Sequence, residues 1–271
     1  MTSARQFYEQ QPSLSVVPPQ KDWPTMYDLP SEDPQEPGLP DEFHDLQPQL
    51  LSATLRLSDF AKGEIFTAKD MNLYYDLEHL GWYKRPDWFA VLGIPRLYEG
   101  RDLRLSYLVW DEPAVPTIIV ELISKGTAKS DLGEVRRDEN GTPTKWEVYE
   151  QILKVPYYLV YDRNQDTLWV FLWQDGVYQQ QEILDGRFWF KDLGIGIGLW
   201  DGEYEGITRS WLRWYDAGGH WHLTQAEAES RRADQERSRA DQERSQREAA
   251  ERENQRLRDR LKSLGIGPND L

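Results

Sequence analysis

Residues 72–76, 88–92, 117–123, 157–161 and 168–173 are five short apolar runs, each bounded by Gly, Pro, Asp or Asn. That is the punctuation of β-strands. The turn-forming stretch Asn164–Gln165–Asp166 between the last two predicts a hairpin. Between the third and fourth runs the chain is polar and then turns helical. Thr142 is placed to cap that helix and Pro143 to open it. The helical pattern runs to Leu153, and Pro156 follows. Strands on both sides of one helix make the core an α/β unit.

The flanks read differently. Nine of the 16 prolines fall in residues 1–48, with nine acidic residues against two basic ones. Proline has no N–H and a fixed φ, so residues 1–40 are expected to form an extended acidic arm. Trp23, Met26, Tyr27, Leu29 and Leu39 suit partial attachment to the domain surface. Asp41 to Leu57 reads as a helix after Pro40, with Leu46, Leu50, Leu51 and Leu55 near helical spacing. The main domain is expected over 41–222, with an aromatic-rich end at 186–222. A helical tail is expected over 223–264, and a disordered end over 265–271.

The tail carries Arg–Ala–Asp–Gln–Glu–Arg–Ser twice in succession, at 232–238 and 239–245. A seven-residue repeat without Gly or Pro implies a long helix. One seam position would hold Ala226, Ala233, Ala240, Arg247, Asn254 and Leu261; its companion would hold Glu229, Glu236, Glu243, Ala250, Leu257 and Leu264. The first half is a poor seam and the second a better one. Two readings stay open: a coiled coil that joins two copies into a homodimer, and a single solvated helix held by charge pairs.

Composition narrows the chemistry. There is no cysteine among 271 residues, which excludes disulfides, thiolate metal sites and cysteine nucleophiles. It suits a cytoplasmic protein. No apolar run is long enough for a membrane span, and no apolar segment follows the first residues as in a signal peptide. The net charge of −15 argues against a simple basic face for nucleic acid, but not against nucleic acid held through metal ions.

Glu121 is the most informative residue. It interrupts Ile118–Ile119–Val120–Glu121–Leu122–Ile123, a run that reads as a buried strand. A carboxylate there costs several kcal/mol unless paired or bound to a cation. A Glu on a solvated strand face is the plainer alternative, and its apolar neighbours weigh against it. Asp87 follows Pro86 and leads into Trp88–Phe89–Ala90. Alone, it would pass for a turn aspartate. Lys145 sits in the first helical turn, where the macrodipole disfavours a cation. It shares a helical face with Val148, Tyr149 and Ile152, so it is aimed inward unless it snorkels. Two carboxylates on neighbouring strands would bind Mg²⁺, with Mn²⁺ as a substitute. The lysine would orient a water or steady developing charge.

Pro86–Asp87, Val120–Glu121–Leu122–Ile123–Ser124, Lys145–x₃–Tyr149 and Val155–Pro156–Tyr157–Tyr158 with Asp162 resemble, in order and spacing, the Uma2 family. That family belongs to the PD-(D/E)XK nuclease superfamily. The resemblance covers about 40–215. It implies a restriction-endonuclease-like mixed sheet flanked by helices, here with a long C-terminal helix added. It also implies a Mg²⁺-dependent endonuclease acting on DNA, with Asp87, Glu121 and Lys145 catalytic and the two acids holding the metal. The superfamily lysine usually lies two residues after the Glu, where this chain has Ile123. The resemblance places it instead on the following helix, at Lys145. Ser124, Lys125, Thr127 and Tyr149 would line the cleft. Glu42, His44 or Gln47 would add a polar group from the first helix. A catalytically weak or inactive nuclease fold that self-associates through its tail is the alternative.

Weaker features are assigned to structure. His220–x–His222 reads as a hairpin end rather than a metal pair. Gly194, Gly196 and Gly198 lack the spacing of a dinucleotide loop. Trp200, Trp211, Trp214 and Trp221 are expected to pack a small aromatic subdomain. Arg96, Arg101 and Arg104 would offer a local basic surface.

Overall fold

The structure is a computed structural model, described for residues 41–263 apart from 77, 80, 113, 124–127 and 136–140. The chain divides into two units, Met1–Glu42 and Phe43–Leu271. Residues 1–40 and 264–271, on which the expectations of an extended arm and a disordered end fall, lie outside the described residues.

The first helix, α1, spans Glu42–Thr54. The strands that follow are β1 Ile65–Ala68, β2 Leu73–Tyr74, β3 Tyr83–Lys84, β4 Trp88–Leu92, β5 Tyr107–Leu108 and β6 Ile118–Leu122. Two short helices come next, α2 Ala128–Asp131 and α3 Lys145–Glu147, the latter continued by a π-turn over Val148–Ile152. Then come β7 Tyr157–Asp162, β8 Thr167–Gln174, β9 Val177–Gln180, β10 Arg187–Phe190, β11 Ile195–Tyr204 and β12 Ile207–Tyr215. The chain continues in α4, Gln225–Ser263.

The central sheet has the order β1-β4-β6-β7-β8-β9. Only β6 and β7 run parallel, and the crossover between them carries α2 and α3. The other pairs are antiparallel. The sheet is therefore mixed, as expected, and the hairpin at Asn164 closes β7 onto β8 with Asp162 opposite Thr167.

Strand alternation sorts the side chains onto two faces. Trp88, Ala90, Ile118, Val120, Leu159 and Tyr161 point one way. They pack on α1 through Phe43, Leu50 and Leu51, and on the β10–β12 sheet through Phe190, Ile197, Trp211 and Trp214. The aromatic-rich end, expected as the end of the main domain, is therefore one wall of the main core. Gln47 fastens α1 to it, donating to the Leu212 carbonyl and accepting from the Leu212 N–H, both at 2.9 Å. Phe89, Val91, Ile119, Tyr158 and Val160 point the other way, against Trp146, Val148 and Tyr149.

Two local expectations are corrected. The helix cap is Thr144, not Thr142: its hydroxyl accepts from the Glu147 N–H at 3.4 Å, so Lys145 is the first helical residue. The shared face of Lys145, Val148, Tyr149 and Ile152 also breaks. Val148 and Tyr149 are buried, but Ile152 is exposed. The π-turn bonds residue i to i+5, as in Leu153 N–H to Val148 carbonyl at 2.8 Å. This turns Ile152 outward and Glu150 inward, where Glu150 accepts the Tyr178 N–H at 2.9 Å.

Gly133 ends α2 with φ +74°, and a Cβ there would come within 2.6 Å of Trp146. Trp146 is locked among Tyr158, Phe171 and Tyr178. Gly133→Ala combines left-handed strain with overpacking and is expected to cost about 2–5 kcal/mol, read from denaturant midpoints.

Gly196 lies within β11 with the Tyr215 ring over it, which fits strand packing and no dinucleotide loop. His220 and His222 part ways, as expected of a hairpin end. His220 pairs with Asp216, and His222 Nδ1 meets the Thr54 carbonyl at 3.0 Å.

The root of α4 is a capping box. The Thr224 N–H donates to Glu227 at 2.7 Å, and the Glu227 N–H donates to the Thr224 hydroxyl at 3.3 Å. Buried Arg213 grips the same Glu227 carboxylate with both terminal nitrogens. Beyond that anchor α4 has no buried residue. Helical charge pairs such as Arg244–Glu248 lie along it.

Candidate active site

Trp88 pairs with Val120 in antiparallel register, so Asp87 stands opposite Glu121, one residue before β4 and at the C-terminal end of β6. Alternation places both on the face toward α3. Like charges directly opposed across two strands are destabilising. The surroundings show what offsets this.

Glu121 is fully buried. Its Oε2 accepts from Lys145 Nζ at 2.7 Å and from the Asp87 N–H at 3.4 Å. Its Oε1 accepts from the Tyr149 hydroxyl at 2.9 Å. Asp87, half-buried, accepts the Leu122 N–H on Oδ2 at 2.6 Å. No hydrogen bond to a described residue engages its Oδ1. The Leu122 carbonyl meets His44 Nε2 at 3.1 Å. Lys145 keeps 22% of its side chain exposed, yet its ammonium points inward to Glu121. It is not a snorkelling lysine.

The electrostatics follow from this crowding. Burial, and then the Glu121 charge, push the Asp87 carboxyl up to about 8; Lys145, His44 and the Leu122 N–H oppose the shift. Burial works against the Lys145 ammonium, but Glu121, Asp87 and Asp131 outweigh it and hold its pKa above the ordinary value. The Tyr149 hydroxyl is driven well up by burial and the Glu121 charge, so it acts as a donor.

Among the described residues no group of three or more His, Asp or Glu is set to hold a metal. The donor set is two carboxylates, one with an uncommitted oxygen. Mg²⁺ is held in this way, by one or two carboxylates with water and phosphate completing its shell. The residues fit that ion.

The structure brings Asp87, Glu121, Lys145 and Tyr149 together. Ser124, Lys125 and Thr127 lie outside the described residues. Of the first-helix candidates, His44 touches the site, Gln47 is spent on Leu212, and Glu42 is exposed. The basic surface is corrected at Arg104, which is buried. It is held bidentately by Glu112 at 2.6 and 3.0 Å and stacks 4.7 Å over Phe66. Arg96 and Arg101 remain exposed.

Sequence reasoning missed Asp70. Its carboxyl lies in the field of Lys145, Glu121 and His44, and it pairs with Arg85 at 2.5 Å. Its left-handed φ of 48° is a conformation Asp tolerates, but no sequence spacing announced it.

The Uma2 family, described as "Putative restriction endonuclease", matches residues 19–201. No curated protein matches the chain. Among solved structures, a "putative nuclease belonging to DUF820" from Anabaena variabilis is similar at 12% identity, over 58% of this chain and 76% of that one, with a TM-score of 0.39. With about two thirds of its length matched, the chain belongs to the Uma2 family.

Proposed function

We propose that the chain is a Mg²⁺-dependent endonuclease of PD-(D/E)XK type that hydrolyses DNA phosphodiester bonds. The observation that carries this reading is the opposed Asp87–Glu121 pair with Lys145 2.7 Å from the buried carboxylate. Like charges are brought together at such cost where a cation belongs. Asp87 and Glu121 would hold the ion, which when bound supplies an acidified water and charge for the phosphate. Tyr149 fixes one Glu121 oxygen and so sets the carboxylate plane. Lys145 is placed to orient the attacking water or to steady the charge on the phosphate oxygens. The water oxygen bonds to phosphorus, the ester P–O bond breaks, and the leaving oxygen takes a proton. The absence of cysteine suits a cytoplasmic setting.

The test is supercoiled plasmid with the purified full chain in Mg²⁺ or Mn²⁺. Wild type is expected to nick it and Glu121→Ala is not. Equal cutting by both would discard the site.

A second reading is favoured by Ile123, which stands where the superfamily lysine is usual, and by α4, none of whose 39 described residues is buried. In it the nuclease core is weak and the tail joins two copies. A chain ending after Arg231 keeps the Glu227 anchor and loses the heptads. It is expected to keep its thermal midpoint, because nothing buried is removed. On this second reading, sedimentation would change from dimer to monomer and plasmid would stay intact.

A further inference from the structure

Arg85 and Pro86 immediately precede Asp87, and both are tied to one distant residue. The Asp70 N–H donates to the Pro86 carbonyl at 3.0 Å. Arg85 donates from Nε at 3.3 Å and from a terminal nitrogen at 3.2 Å to the Asp70 carbonyl. The same terminal nitrogen reaches the Asp70 carboxylate at 2.5 Å. Asp70 can offer all three groups because it sits at φ 48°, a region that Asp, Asn and Gly adopt at little cost. The guanidinium is half-buried and two residues from Asp87, whose Oδ1 no described residue engages. An arginine side chain is long enough to reach a carboxylate two residues away, and bidentate pairing would strongly favour that contact.

We infer that Asp70 is a positioning residue that sequesters Arg85, so that the Asp87 carboxylate stays open to a divalent cation. Without the Asp70 carboxylate, this grip keeps its two longer bonds to the main-chain carbonyl, and the guanidinium would be drawn toward Asp87 and compete with the metal. The inference rests on the metal reading given above. It makes a demand that a purely structural role does not: the damage from losing Asp70 must be undone by also losing Arg85.

Calorimetric titration of the full chain with Mn²⁺ alone tests this, with thermal midpoints measured beside it. Asp70→Asn suits the left-handed backbone and removes only the charge. It is expected to weaken Mn²⁺ by about tenfold or more, the usual scale for groups that support metal ligands. Arg85→Gln is expected to bind like wild type. The double variant Asp70→Asn/Arg85→Gln is expected to recover to within about threefold of wild type, a non-additivity that marks direct coupling. Undiminished binding by Asp70→Asn overturns the inference. So does a double variant as weak as Asp70→Asn alone, since that marks Asp70 as structural. Wild type that takes up no Mn²⁺ removes the metal reading itself and this inference with it, whereas the other failures leave the metal reading intact.

Discussion

Lys145→Ala is expected to lower plasmid nicking by about 100-fold or more, the scale of losing one preorganised charge-stabilising group. It should also destabilise the metal-free protein. Glu121 is fully buried, and its strongest partner is the Lys145 ammonium at 2.7 Å. Removing one member of a buried pair costs about 3–5 kcal/mol, because the other is left charged without compensation. The lysine's partial exposure puts the expected value at the low end. Mg²⁺ then separates the two roles of this residue. If Glu121 is a metal ligand, the cation replaces the lost ammonium, and Mg²⁺ should raise the thermal midpoint of Lys145→Ala more than that of wild type. Nicking should stay low, because the cation does not restore the water-orienting amine. Lys145→Met keeps the packing of the stem and should behave like the alanine variant. If Mg²⁺ moves neither midpoint, the pair is an ordinary buried salt bridge and the acids bind no metal. If Lys145→Met cuts like wild type, the amine has no part in the chemistry.

Glu121 and Lys145 stand out in the sequence because each breaks a local rule: the first interrupts an apolar run and the second opposes the helix dipole. Such conflicts are visible in one dimension. Asp87 alone passes for a turn aspartate and joins them only as part of the set. Asp70 breaks no rule in its own neighbourhood. Its significance arises from a left-handed turn that brings it to Arg85, which a pattern search cannot see. The π-turn was illegible for a related reason. Residues 148–152 suit either an α or a π winding, and burial of Glu150 under the Tyr178 N–H goes with the π one. Arg104 read as a basic surface because sequence shows charge but not its pairing with Glu112, eight residues on. The aromatic end reads as packing residues but not as a core wall: its strands pair only among themselves, and the contact of Trp211 and Trp214 with the core under β4 and β6 joins distant segments that no local pattern links. Thr224–x–x–Glu227 is different: the sequence spells a capping box that sequence reasoning missed, and the structure places it where the tail helix begins.

Mg²⁺ affinity should climb with pH and then level off near 8. The metal-free Asp87 carboxyl is raised from 3.8 to about 8, by burial first and by the facing Glu121 second. A carboxyl raised on folding binds its proton more tightly in the folded chain than in the unfolded one. Its contribution to stability is therefore complete below about pH 4 and is lost as pH rises through 8. The metal-free thermal midpoint should drift down over that window on account of this group. A cation needs the carboxylate form, so below 8 it must displace the proton. One displaced proton gives about a tenfold gain in affinity per pH unit well below 8, hence about 50-fold between pH 6 and pH 8, where the group is half ionised. Titration calorimetry in two buffers of different ionisation heat reads both the affinity and the proton count, which should approach one at pH 6 and fall toward zero above 8. Asp87→Asn should keep the bond from the Leu122 N–H while removing the repulsion. Its metal-free form should no longer lose stability over that window, and its Mg²⁺ binding should be weak at every pH. Affinity that is flat between pH 6 and 8 would mean that the cation binds without Asp87. The opposed pair would then have to be explained without a metal, by a proton shared between two acids under the Lys145 ammonium.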